Sequence, residues 1–264
     1  MLQMICIDVD GTLVGSSNVV RNDVWEALDY IREAGVKLVL CSGRPAFGQA
    51  RSYAERMQPG GWHVFQNGAS VVRVDTGESL SSAFPAAALS RLLETATQTG
   101  RLLEIYSDSQ YASTLRDEEA REHAELLGFP FPPLWPSELH DPVVRAQWLV
   151  RHGELDTVRD LTPSGLELHP AGSPRMRETL FVSMTAPGVS KGSAIRSIAQ
   201  KYGIGLDRCM MVGDGENDLQ AMAVVGHTVA MGNAEVAVLA AAQHRVGHVD
   251  EGGLIEALEL ARQL

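Results

Sequence analysis

Three shortages narrow what this chain can be. Cysteine is scarce: Cys6, Cys41 and Cys209 form an odd set with no Cys-x-x-Cys pair, and each lies in an apolar, strand-like run. That pattern suggests neither a disulfide framework nor a zinc site, and it reads as buried free thiols. Positive charge is scarce too, with 22 Lys and Arg against 33 Asp and Glu and a net charge of -11. Polyanion binding needs a basic field, so a nucleic-acid groove or an anionic membrane surface is not expected. An anionic small substrate would need a cation or a few placed basic groups. Long apolar runs are missing: none approaches the roughly 20 residues that span a bilayer. The first residues run into a strand without a basic leader, so a cytoplasmic protein is expected.

What is present is an alternation of short apolar strands and helices. The run Ile5-Cys6-Ile7 stops at Asp8-Val9-Asp10-Gly11-Thr12, which reads as a buried strand ending in a turn. Asn22 or Asp23 can cap a helix to about Glu33, with Trp25, Leu28 and Ile31 at helical spacing and Gly35 closing it. A strand at Val36 to Cys41 ends in Ser42-Gly43-Arg44-Pro45, and Pro45 suits the start of a helix to about Met57. Ser70 to Val74 and Glu78 to Ser82 flank Asp75-Thr76-Gly77 as an expected hairpin.

From about Phe84 to Ala186 the texture changes to a small α+β insert. Helices are expected at Pro85 to Thr99 and Asp117 to Leu127, and strands at Leu102 to Ser107, Val143 to Arg151, Gly165 to Pro170 and Glu178 to Thr185. The run from Phe129 to Pro136 is too rich in proline for either. The strand and helix alternation resumes with a helix at Ser190 to Tyr202 and a strand at Cys209 to Val212. The loop Gly213-Asp214-Gly215-Glu216-Asn217-Asp218 follows, and further short units reach Arg262. Two blocks of one texture imply a doubly wound α/β domain, largely of parallel strands, carrying an insert.

Asp8 and Asp10, Ser42, Lys191, and Asp214 with Asp218 fall at strand ends or a helix start. Each alone has an ordinary use as a cap, a turn former or a surface charge. Together, at the ends of parallel strands, they make one active face. Gathered carboxylates repel and raise one another's pKa unless a cation is present. Mg2+ accepts oxygen ligands and is commonly held by one or two carboxylates plus a substrate phosphate. Asp8, Asp214 and the Asp10 carbonyl could supply that pattern. The rest suits phosphoryl transfer: Lys191 as a point charge, Ser42 and the turn amides as donors, Asp8 as nucleophile, Asp10 as proton donor and acceptor.

In this order Asp8-Val9-Asp10-Gly11-Thr12, Ser42-Gly43-Arg44, Lys191-Gly192 and Gly213 to Asp218 resemble the four motifs of the haloacid dehalogenase superfamily. Gln66-Asn67-Gly68-Ala69 resembles a loop of its Cof-type phosphatases, which carry a C2-type (IIB) α+β cap. The resemblance implies a Rossmann-like doubly wound core at 1–83 and 187–264 with the cap inserted at 84–186. It implies Asp8 as nucleophile, Asp10 as acid and base, and Ser42, Gly43, Lys191 and Asn217 as phosphate contacts. Asp8, Asp10 and Asp214 would surround Mg2+, with Thr12, Arg44, Asn67 and Asp218 in support. The implied partner is a small phosphorylated metabolite, foremost a sugar phosphate, for a monomer or small homo-oligomer without nucleic-acid or membrane partners.

A sugar phosphomutase uses the same intermediate and stays open as an alternative. Outside enzymes, so does a regulatory or nucleotide-binding protein on the same fold, although Gly213-x-Gly215 lacks the third glycine of a dinucleotide turn. Arg175 and Arg177 could meet an anion from a cap loop. Trp135 could shape a pocket, and His123, His140, His152 and His169 read as surface or satisfied residues.

Overall fold

The computed structural model describes residues 1–172 and 176–264. Two compact units divide the chain: Met1–Arg44, Ala50–Leu80 and Ser190–Leu264 form one, and Pro45–Gln49 with Ser81–Val189 the other. Arg175, which from the sequence could meet an anion, lies outside the described residues. Among them, no helix is long and apolar enough to cross a membrane.

Strand β1 (Met4–Ile7) is buried along its length. Helix α1 (Asn22–Glu33) turns Val24, Leu28 and Ile31 inward, and Trp25 lies one position round that face, half-buried. Neither Asn22 nor Asp23 caps it. Arg21 holds the cap position without a side-chain bond, and Asp23 Oδ1 accepts from the adjacent Val24 N–H at 2.9 Å. After β2 (Lys37–Leu40), helix α2 (Gln49–Met57) starts four residues later than Pro45 suggests, because Gly48 takes a φ of +66° that no helix accommodates. Pro45–Gln49 instead joins the second unit, where the Phe47 ring lies 4.7 Å from that of Phe129.

Strands β3 (Trp62–Phe65) and β4 (Ser70–Arg73) pair antiparallel along their length. The hairpin expected around Asp75-Thr76-Gly77 shrinks to a single bridge, Val72 to Ser79. Its second arm, Glu78 to Ser82, has little to bury, whereas Trp62, Val64 and Phe65 offer β4 an apolar partner.

The second unit comprises α3 (Ala86–Thr99), β5 (Leu103–Tyr106), β6 (Tyr111–Ser113), α4 (Glu118–Leu127), β7 (Arg145–Arg151), α5 (Leu155–Leu161), β8 (Glu167–Gly172) and β9 (Thr179–Thr185). Its antiparallel sheet runs β6-β5-β7-β9-β8. One face packs Leu103, Ile105, Trp148, Val182 and Met184 with Leu92, Ala96 and Val158 of the helices. The other face carries a smaller apolar cluster of Leu149 and Phe181 with Ala120 and Met176, and beside it Glu104, Gln147 and Ser183 stand side by side across three strands. Tyr106 donates to Glu104, His123 of α4 meets Glu104 at 3.0 Å, and Ser183 Oγ donates to Gln147 Oε1 at 2.7 Å. His123 is thus a buried, satisfied partner. The short β6 and α5 have no counterpart in the sequence reading.

The first unit closes with α6 (Lys191–Tyr202), β10 (Cys209–Gly213), α7 (Leu219–Met222), β11 (His227–Ala230), α8 (Val236–Ala241), β12 (His244–Arg245) and α9 (Gly253–Ala261). Its parallel sheet runs β12-β11-β10-β1-β2. The chain therefore leaves β1 toward β2 and later returns on the other side through β10. Such a reversal opens a crevice at the strand carboxyl ends, where α/β sheets bind ligands. Ile195 and Ile198 of α6 fill the layer beneath with Val39, Val64 and Met211, and each side chain so buried stabilises by about 1.5–3 kcal/mol. Cys6, Cys41 and Cys209 are buried free thiols.

Candidate active site

The first acid still belongs to the sheet, since Asp8 N–H donates to Val212 O at 3.0 Å. The chain then turns: Val9 O accepts from the amides of Leu13 and Val14 at 3.0 and 2.8 Å. Gly11 takes a φ of +87°, and a Cβ there would lie 2.1 Å from Asp214 Oδ2. Only glycine lets the turn and that carboxylate share the space. The β2 loop is anchored by Ser42, whose N–H donates to Val64 O at 2.9 Å and whose Oγ accepts the Arg44 N–H at 3.0 Å. Ser190 caps α6 by accepting the Ser193 N–H at 3.0 Å, which places Lys191 in the first turn, 1% exposed. The β10 loop is closed by Asp218 Oδ2, which accepts the N–H groups of Asp214 and Gly215 at 3.0 and 3.1 Å.

These loops bring their charges to one place. Lys191 Nζ donates to Asp8 Oδ1 at 2.5 Å and to Asp218 Oδ1 at 2.6 Å. Asp8, Asp214 and Asp218 each offer a carboxylate oxygen within 4.8 Å of the others. Three carboxylates around one ammonium leave two negative charges uncompensated. Burial, with the neighbouring Asp218 and Asp214, drives the Asp8 pKa well above the usual carboxylate range, although Lys191 opposes the shift. Asp214 is pushed up to about 6 by burial, with help from Asp218 and Asp10, against the Thr12 hydroxyl, which lowers it by donating to Oδ1 at 2.9 Å. Burial alone would lower the Lys191 pKa, but Asp218 and Asp8 outweigh it and hold the ammonium charged.

An all-oxygen group with two surplus negative charges fits a hard divalent cation. Asp218 is the least available ligand, because Lys191 takes one of its oxygens and two amides take the other. Asp8 and Asp214 are the carboxylates left to hold an ion. The Asp10 carboxylate stands outside this group: Arg44 Nε donates to its Oδ2 at 2.9 Å, and a second guanidinium nitrogen meets Oδ1.

A second network joins the remaining candidates. Asn67 N–H donates to Ser42 O at 3.0 Å, and Asn217 Nδ2 donates to Asn67 Oδ1 at 3.1 Å. The Asn67 side chain lies against Gly43. One neighbour escaped the sequence reading: Asn233 Nδ2 donates to Gly11 O at 2.8 Å and reaches Asp214 Oδ2 at 3.4 Å. Its signal was the Gly232-Asn233 turn after β11, a strand end like the others. Trp135 lies under the Arg116 guanidinium, 4.0 Å from the ring centroid, and Arg177 is exposed.

Comparison with known proteins shows the family. The model of the haloacid dehalogenase-like hydrolases matches residues 5–258. YxeH of Bacillus subtilis (strain 168) is 27% identical over 263 residues, covering 98% of this chain and 97% of its own. The 5-amino-6-(5-phospho-D-ribitylamino)uracil phosphatase YcsE of the same organism is 22% identical over 260 residues, covering 97% and 94%. The solved HAD subclass IIB sugar phosphatase BT4131 shares the fold with a TM-score of 0.81 at 23% identity, covering 99% of this chain and 100% of that one. The chain belongs to the haloacid dehalogenase-like hydrolase family.

Proposed function

We propose that the chain is a Mg2+-dependent phosphomonoester hydrolase working through an aspartyl-phosphate on Asp8, with small phosphorylated metabolites, foremost sugar phosphates, as substrates. One observation carries the reading: Lys191 bridges Asp8 and Asp218 beside Asp214 and leaves two negative charges for a divalent ion. Asp8 and Asp214, with the Asp10 carbonyl, would hold Mg2+, which would supply charge neutralisation for the phosphoryl group.

The protein's own groups account for the remaining chemistry. An Asp8 carboxylate oxygen attacks phosphorus while the bond to the leaving oxygen breaks, and Asp10 gives that oxygen its proton. Asp10 then takes a proton from the water that attacks the aspartyl-phosphate, which frees inorganic phosphate and restores Asp8. Ser42, Gly43, Lys191 and Asn217 are the phosphate contacts, and Lys191 balances charge on the phosphoryl oxygens. Thr12 and Asp218 fix the Asp214 and Lys191 side chains through the bonds given above. Residues 84–186 act as the cap that selects the leaving group. YcsE, named for a phosphoribityl substrate, supports a phosphorylated sugar or sugar alcohol.

A phosphate-release screen over sugar phosphates, nucleotides and pyridoxal phosphate, with and without Mg2+, tests this. Release should require Mg2+ and vanish in Asp8→Asn, whose amide cannot attack. Full turnover by that variant would sink the mechanism.

A further inference from the structure

The connection between β3 and β4 holds three successive residues at positive φ: Gln66 at 52°, Asn67 at 56° and Gly68 at 100°. Glycine and asparagine tolerate this region, but glutamine rarely enters it. A tight hairpin needs only two such residues, and Asn-Gly supplies them. Joining two strands therefore does not account for Gln66. Strain of this kind persists where the surroundings over-determine it.

The surroundings here are the loops of the candidate site. Gln66 N–H donates to Arg44 O at 2.9 Å and Asn67 N–H to Ser42 O at 3.0 Å, so two successive amides of the turn hold the β2 loop. Gly68 packs on the start of α6, where a Cβ would lie 2.1 Å from Ser190 O and 3.1 Å from Lys191 N. The Asn67 side chain lies on Gly43, with Oδ1 3.2 Å from where a Cβ of that glycine would stand. The same Oδ1 accepts from Asn217 Nδ2 at 3.1 Å. One short turn thus touches the loops that carry Ser42, Lys191 and Asn217.

We propose that Asn67 is a positioning residue: its carboxamide orients Asn217, and its left-handed backbone holds the Ser42 carbonyl, so the phosphate contacts of two loops keep their spacing. The role rests on the phosphatase reading above. Asn67 acts through Asn217, because its carboxamide oxygen accepts the Asn217 Nδ2–H. A displacement of one phosphate contact by an ångström is enough to slow transfer severely.

A double-mutant cycle tests it. Asn67→Gly tolerates the left-handed backbone and both amide bonds but removes the carboxamide, and Asn217→Ala removes the group it orients. With p-nitrophenyl phosphate and Mg2+, each single variant should lose about tenfold or more in kcat, and the double variant no more than Asn217→Ala alone. Melting temperature is read alongside. Multiplying losses would show Asn67 acting on its own, and a lowered melting temperature with unchanged kcat would make the turn merely structural. Either result overturns the proposal. If Asn67→Gly does not fold, Asn67→Asp keeps an acceptor for Asn217 Nδ2 and tolerates the backbone. Its kcat should stay within about threefold of wild type, and a tenfold loss overturns the proposal. A wild-type chain without turnover on any phosphomonoester overturns the phosphatase reading and this role together, whereas an active wild type with multiplying losses overturns this role alone.

Discussion

Arg44 grips the Asp10 carboxylate with a two-pronged guanidinium contact, Nε to Oδ2 at 2.9 Å and a second nitrogen on Oδ1, while Lys191 holds Asp8. Two acids only two residues apart are therefore tied to different cations from different loops. Their surroundings differ as much: Asp8 is 6% exposed, and the Asp10 side chain is 62% exposed. A buried carboxylate suits attack on phosphorus, and an accessible one suits proton exchange with an alcohol and then with water.

This division predicts the response to Asp10→Asn. The amide keeps the shape but carries no exchangeable acid, so kcat on p-nitrophenyl phosphate should fall by about 10²–10⁴. Arg44→Ala should cost roughly tenfold by releasing the carboxylate from its fork, and adding it to Asp10→Asn should cost little more. An unaltered rate in Asp10→Asn would remove Asp10 from the chemistry.

Lys191 has the opposite dependence on its surroundings. Its ammonium is buried between Asp8 and Asp218, so Lys191→Met would leave both carboxylates facing each other without a counter-charge. Breaking a buried pair from one side costs about 3–5 kcal/mol, which for a chain of this size lowers the melting temperature on the order of 10 °C. Adding Asp218→Asn should recover part of that loss without restoring turnover. Calorimetry of the metal-free variants separates the two effects, and an unchanged melting point in Lys191→Met would contradict the ion pair.

Much of this arrangement was legible in the sequence because parallel strands buried on both faces write themselves as unbroken apolar runs. Asp8, Ser42 and Asp214 each follow such a run, and Ser190 announces the helix that Lys191 opens. What was not legible depends on partners far along the chain. The Arg44 to Asp10 pair spans 34 residues and the Asn233 contact with Gly11 spans 222, and neither leaves a local pattern. Helix α5 was missed because seven residues with Val158 alone fully buried carry too little periodicity. The Asp75-Thr76-Gly77 turn misled because turn chemistry is local, whereas β4 took the partner with more apolar surface to bury.

Metal loading should be visible without turnover. A divalent ion that neutralises Asp8 and Asp214 binds the folded chain alone, and at a hundredfold excess over its Kd it adds about 2.7 kcal/mol of stability. Chelator-treated protein should therefore melt higher on adding Mg2+. The rise should vanish in Asp214→Asn and survive in Asp10→Asn, whose carboxylate lies outside the group. A rise that persists in Asp214→Asn would place the ion elsewhere.

The first unit should also carry an acid-sensitive joint at His63. Its ring is fully buried, with Nδ1 accepting the Leu40 N–H at 3.0 Å and Nε2 facing Gln58 O at 3.3 Å. Accepting that amide requires Nδ1 without a proton, so Nε2 carries the hydrogen and donates to Gln58 O. Burial holds the His63 pKa down to about 4, against the Gln58 carbonyl, which raises it. The unfolded chain binds its proton near pH 6.5, so between that pH and about 4 the unfolded state holds more protons than the folded one. Stability is therefore fully present above pH 6.5 and drains as the pH falls toward 4, by about 3 kcal/mol for this group. His63→Gln can present an oxygen to Leu40 and an amide hydrogen to Gln58 but does not titrate. Urea midpoints compared from pH 7 to 4 should converge as acid is added, with the wild type losing stability faster than His63→Gln. Parallel curves would show that His63 is not the group that titrates.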